Sequence, residues 1–109
     1  MSHLLEARRR MIQQRGRMML LRREGSAPLS VDLLGFPRAY QPGELTGGVQ
    51  QGDERVEILN DELAKAGWPS PPRRPDRLEK DGGVGTLQGA RPIYDGALLI
   101  GWSLWVRGT

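Results

Sequence analysis

The chain has 109 residues, 38% of them hydrophobic, with 15 Gly, 8 Pro, one His, no Cys and a formal net charge of +3. That size supports one small domain, burying roughly two-thirds of the surface its unfolded chain exposes, while the lack of cysteine excludes disulfide staples and thiolate metal sites together. The glycine and proline content is too high for a helical bundle, and no apolar run approaches the roughly 20 residues needed to cross a bilayer as a helix.

The charge is unevenly placed. Residues 1–24 carry seven arginines against Glu6 and Glu24, a net +5, which leaves the remainder at −2. The start Met1-Ser2-His3-Leu4-Leu5-Glu6 lacks a basic segment followed by an apolar one, so the expectation is a soluble protein made in the cytoplasm.

From His3 to Arg15 the apolar residues Leu4, Leu5, Ala7, Met11 and Ile12 fall in one arc at about 100° per residue, which predicts an amphipathic helix with Ser2 as N-cap and Gly16 as its stop. Arg8 lies inside that arc. Either its stem packs while the guanidinium reaches water, or it pairs with a carboxylate on a neighbouring subunit. Arg17 to Arg23 reads as a strand closed by the Gly25-Ser26-Ala27-Pro28 turn; the alternative is one helix spanning residues 3–23.

Val31 to Phe36 alternates as a second strand, with Pro37 marking its end at an edge or bend. Gln41-Pro42-Gly43-Glu44 has the residues of a type II turn. After Gly52-Asp53, Arg55 to Leu59 alternates with Val56 and Ile58 inward. Asn60 or Asp61 then caps a short helical turn from Glu62 to Ala66 that stops at Gly67.

Trp68 is expected to plug one end of a barrel. Pro69, Pro71, Pro72 and Pro75 predict an extended path, followed by a strand from Asp76 to Lys80 and a hairpin turn at Asp81-Gly82-Gly83. Thr86 to Arg91 is a weaker strand. The clearest strand is the last, with Leu98, Ile100, Trp102, Leu104 and Val106 on one face and Leu99, Gly101, Ser103, Trp105 and Arg107 on the other. An exposed Trp105 calls for a cover, either the N-terminal helix or a neighbouring subunit.

Catalytic patterns are not found. The single His3 sits in a terminus prone to fray and no Gly-x-Ser-x-Gly occurs, which argues against a Ser-His-Asp hydrolase. Asp53, Glu54 and Glu57 lack the spacing of a calcium loop. The glycines from Gly82 to Gly89 are followed by no Lys-Ser/Thr and open no helix, so they read as a hairpin tip rather than a phosphate loop. No catalytic, cofactor-binding or metal-binding residue is assigned.

The expected fold is therefore mainly β, a small β-barrel or sandwich at 17–109 behind a basic N-terminal helix at 1–16, with one short internal helix and long loops. Arg8, Arg9, Arg10, Arg15 and Arg17 suit non-specific contact with DNA phosphates, inter-subunit ion pairs or a solvated helix face. The scarcity of aromatics in residues 1–35 disfavours base stacking there.

The layout from Leu45 to Leu78, with its Gln-Gly-Asp turn, the helical turn at Asp61–Gly67 and the Pro-x-Pro-Pro…Pro-Asp approach to a strand, resembles the small head-tail joining proteins of tailed bacteriophages. These are the head-closure or stopper subunits of the neck. The resemblance implies a homo-oligomeric ring, six- or twelve-fold, located in the virion neck between portal or adaptor and tail proteins, helping to retain packaged double-stranded DNA. It also implies that the loops Tyr40–Gln51 and Trp68–Asp76 face neighbours or the channel, with Glu44, Gln50, Gln51, Arg73, Arg74 and Trp105 as interface residues. The Arg-rich start fits an adaptor-contacting helix as readily as a stopper's extension. The rival reading is a small basic nucleic-acid-binding barrel of the oligonucleotide-binding type.

Overall fold

A computed structural model describes residues 3–40, 47–68 and 71–108. The expected cap Ser2, the turn at Gln41–Glu44 with the candidate interface residue Glu44, and Pro69 lie outside the described residues. The elements in order are α1 (His3–Arg15), β1 (Arg17–Arg23), β2 (Leu29–Ala39), β3 (Glu54–Leu59), α2 (Asn60–Lys65), β4 (Arg77–Lys80), β5 (Gly83–Asp95) and β6 (Leu98–Gly108). All six strands pair antiparallel and close in the order β1-β2-β3-β6-β5-β4. The protein is mainly β, as its composition and alternation predicted.

Closure of six strands leaves an interior wide enough only for side chains. Met19, Leu21, Leu33, Val56, Ile58, Leu78, Leu87, Trp102, Leu104 and Val106 fill it, joined by Leu63 and Trp68. Two glycines keep the wall tight: a Cβ at Gly101 would lie 2.4 Å from the Ile58 carbonyl oxygen, and one at Gly85 would lie 2.5 Å from Cγ1 of Val106. The β4–β5 hairpin turns on Asp81 (φ 50°) and Gly82 (φ 79°), two successive left-handed residues of the kind that match strand twist.

Helix α2 delivers Trp68 to the core through its C-terminus. The Trp68 N–H donates to the Leu63 carbonyl (3.0 Å) and the Gly67 N–H to that of Ala64 (3.1 Å), with Gly67 at φ 70°. This is a Schellman closure, and its accompanying apolar pair is Leu63 with Trp68, both in the core cluster. The N-terminal cap differs from expectation. Leu59 occupies it without a side-chain bond, because Asn60 Oδ1 accepts the Trp102 indole N–H (3.0 Å) and the Asp61 carboxylate turns to Arg9.

Two strands run longer than the sequence predicts, for one reason. β2 continues through Pro37 to Ala39, where its pairing to β1 has already ended at Gly35, so one side is an open edge and a missing N–H costs no ladder bond. β5 continues through Pro92 to Asp95, beyond Thr86, the last residue paired across its register with β4. A bulge at Gln88, between Leu87 and Gly89, shifts the alternation of β5, which is why only Thr86 to Arg91 stood out, and weakly.

The inner face of β6 also needs correction. Ile100, Trp102, Leu104 and Val106 are buried, but Leu98 is 50% exposed. β3 pairs with β6 only from Gly101 onward, and past the buried Ile100 the β5–β6 hairpin runs out to an exposed tip at Leu98.

Candidate functional site

Two carboxylates organise the loops singled out from the sequence. Asp53, 3% exposed, accepts from the Gln50 N–H (2.9 Å), the Trp105 indole N–H (2.8 Å) and both Nε (3.0 Å) and a terminal NH2 (3.0 Å) of Arg107, whose NH2 also donates to the Gly48 carbonyl. Asp76, equally buried, accepts from the Arg73 N–H (2.9 Å) and from Nε and NH2 of Arg23 (2.8 Å each), whose NH2 also donates to the Pro71 carbonyl.

The two arrangements share a guanidinium fork and a backbone N–H on the carboxylate, to which Asp53 adds a tryptophan indole N–H. In each, the aspartate N–H donates back to the residue three before it (Asp53 to Gln50, 3.0 Å; Asp76 to Arg73, 2.8 Å), and the arginine also lies near a tryptophan ring, Arg107 at 5.8 Å from Trp105 and Arg23 at 5.0 Å from Trp68. Planar guanidinium forks of this type fix geometry as well as charge. They hold the segments before β3 and β4 while Gln50, Gln51, Arg73 and Arg74 stay exposed. Hydrogen bonding from Arg107, ahead of that from Gln50 and Trp105, lowers the Asp53 carboxyl to about 2 despite its burial.

Trp105 is half-buried, and part of its cover comes from the loop before β3: a Cβ at Gly48 would sit 3.3 Å from the indole Cη2. Beside this ring is an open cleft of about 530 Å³ on the outer faces of β3, β5 and β6, with Tyr40, Val49, Arg55, Gln88, Arg91 and Trp105 among its walls. The Arg55 guanidinium lies 5.7 Å from the Tyr40 ring centre.

The arginines of the N-terminal segment do not act as one basic patch. Arg8 pairs with Glu57, Arg9 with Asp61 (2.6 Å) and Arg17 with Asp81 (2.5 Å), all within the chain, while Arg10 and Arg15 are exposed. Arg8 therefore neither snorkels free nor requires a neighbouring subunit. Ile12 is the single buried residue of α1, and Leu4 is 38% exposed, so the helix lies on β2 and β3 with Ile12 as its anchor, Arg8 paired to Glu57 of β3 and Arg9 to Asp61 of α2.

Reversing Arg8 and Arg9 together to glutamate is expected to undock α1 and leave the barrel folded. Each partly exposed pair contributes only about 0.2–1 kcal/mol, so global stability falls little, but like charges would then face Glu57 and Asp61. Hydrogen exchange should show residues 4–15 losing protection while β1–β6 keep theirs. Loss of protection throughout the barrel would contradict this account.

The fork partners were not legible in the sequence. The one local signal is the shared pattern Gln-Gln-Gly-Asp and Arg-Arg-Pro-Asp, each placed directly before a strand. No protein-family model matches the chain, and no curated protein is significantly similar to it.

Proposed function

We propose that the protein is a structural subunit of a bacteriophage neck, assembling into a ring that joins the head to the tail and helps retain DNA. The observation that carries this reading is the pair of Asp–Arg locks. They tie residues 50–53 and 73–76 to a small barrel while the outward residues Gln50, Gln51, Arg73 and Arg74 remain exposed. Braced segments with solvent-facing side chains suit docking, since less ordering entropy remains to be lost on contact.

In purified particles the tagged subunit is expected between portal and tail, and phage lacking it should yield filled heads without attached tails. Normal particle yield in its absence would sink the reading. For DNA retention, Arg10 and Arg15 replaced by glutamate is the cleaner variant, because the α1 ion pairs survive. Leakage of packaged DNA from such particles is expected if these side chains face the channel.

One observation favours the nucleic-acid-binding barrel as a second reading, namely the cleft that sets Tyr40 and Trp105 beside Arg55 and Arg91. Aromatic platforms with arginines suit single strands. Tight oligonucleotide binding by the isolated protein, lost steeply as salt rises, would favour it.

A further inference from the structure

Helix α1 is separable from the barrel on which it lies. The six strands close without it, and Ile12, though 1% exposed, lies outside the cluster of side chains that fills the barrel. The helix is further tied by Arg8 to Glu57 and by Arg9 to Asp61 (2.6 Å), both pairs partly open to water. Such a seating is cheap to open, yet its charges are specific, two arginines on the arm and two carboxylates on the seat.

One residue, Gly16, joins α1 to β1. Its N–H donates to the Ile12 carbonyl (2.7 Å), and a Cβ there would lie 2.3 Å from that oxygen and 3.0 Å from the Gly35 carbonyl oxygen. The reversal that lays α1 on its own barrel therefore admits glycine only. Short, tight hinges favour exchange of the element they carry, because straightening lets the same contacts form on another copy.

We propose that α1 is an exchangeable arm, which docks on the β2–β3 face of a second copy with Arg8 on that copy's Glu57, Arg9 on its Asp61 and Ile12 buried beneath. No residue has to be free beforehand, since the pairs exchanged are the chain's own. The 13-residue helix is about 20 Å long, enough to bridge adjacent copies once Gly16 straightens. A short tether holds the arm near its own seat at an effective concentration on the order of millimolar, so dilute single chains keep α1 to themselves. Copies packed in a ring offer a neighbour's seat at comparable concentration, and because arm and seat are different patches the contact runs head-to-tail. The step from pair to ring rests on the neck reading above.

Charge reversal isolates the exchange. One variant carries Arg8→Glu and Arg9→Glu, the other Glu57→Arg and Asp61→Arg, so each arm meets like charge on its own seat and opposite charge only on the other variant's. Alone, each should leave residues 4–15 unprotected from hydrogen exchange above a protected barrel. Mixed in equal amounts, they should regain protection at residues 4–15 and show the mass of at least two chains. A second measurement keeps Arg8, Glu57 and Ile12 in place. Arg9→Cys and Asp61→Cys, on separate chains assembled together, should be joined by a short bismaleimide, with no native cysteine to compete. Adding Gly16→Ala to the first chain should raise that yield several-fold, because the reversal is then blocked.

Residues 4–15 that stay unprotected in the mixture, above a protected barrel, overturn the inference. Rings that assemble with no product between chains overturn it too, while leaving the ring reading intact. Exchange that stops at a reciprocal pair supports the arm and removes the ring from the proposed function instead.

Discussion

Replacing Asp53 by alanine is expected to lower stability by about 2–4 kcal/mol. Truncating one member of a fully buried ion pair costs about 3–5 kcal/mol; here Arg107 is about a third exposed and can turn to water, which trims the loss. What remains is the Trp105 indole N–H and the Gln50 N–H, both deprived of their acceptor, each a desolvation cost of about 1–3 kcal/mol at most. The loop before β3 should loosen with them. Denaturant titration measures the loss, and an unchanged midpoint would show that the fork is ornamental.

The same residue sets a pH dependence. The Asp53 carboxyl titrates at about 2 in the folded chain against an ordinary 3.8, so the unfolded chain takes up the proton first. Its stabilisation is then complete above about pH 4 and is lost as pH falls through about 2. Asp53→Asn removes that titration. The gap in Tm between the wild type and this variant should stay constant above pH 4 and close towards pH 2. A gap constant across the whole range would contradict the assignment.

Leu104→Ala should cost about 2–5 kcal/mol, the span for removing a fully buried leucine from a core that cannot collapse around the void. Leu104 is 0% exposed and lies between Val56 on β3 and Ala90 on β5, two strands fixed by closure of the barrel. Leu98→Ala, on the same strand and the same alternating face, should change stability by no more than about 0.5 kcal/mol, because that side chain is half exposed at the hairpin tip. The contrast separates core from exposed tip within one strand. Equal losses at the two positions would place the tip in the fold rather than outside it.

Much of the secondary structure could be read locally. Gly16 ends α1, Gly67 ends α2, Asp81-Gly82 turns β4 into β5, and period-two alternation marks β3 and β6. Each of these is decided by a few adjacent residues, through backbone freedom at glycine or through the pleat. Such signals survive without knowledge of the partner strand.

Chain closure decided the rest. Pro37 and Pro92 look like strand terminators, yet both lie inside strands, because the neighbour on one side stops short and leaves an edge where no donor is missed. Asp53 and Asp76 look like turn residues, but their arginines come from 54 and 53 positions away, brought beside them by strand pairing. The arginines of α1 read as a basic head until Glu57 and Asp61 meet two of them. Alternation assigns a residue to a face of its strand; whether that face meets the core, as at Leu104, or water, as at Leu98, depends on which strands and helices reach it, since Ile100 also lies beyond the β3 pairing and is buried, and only the tertiary structure decides that.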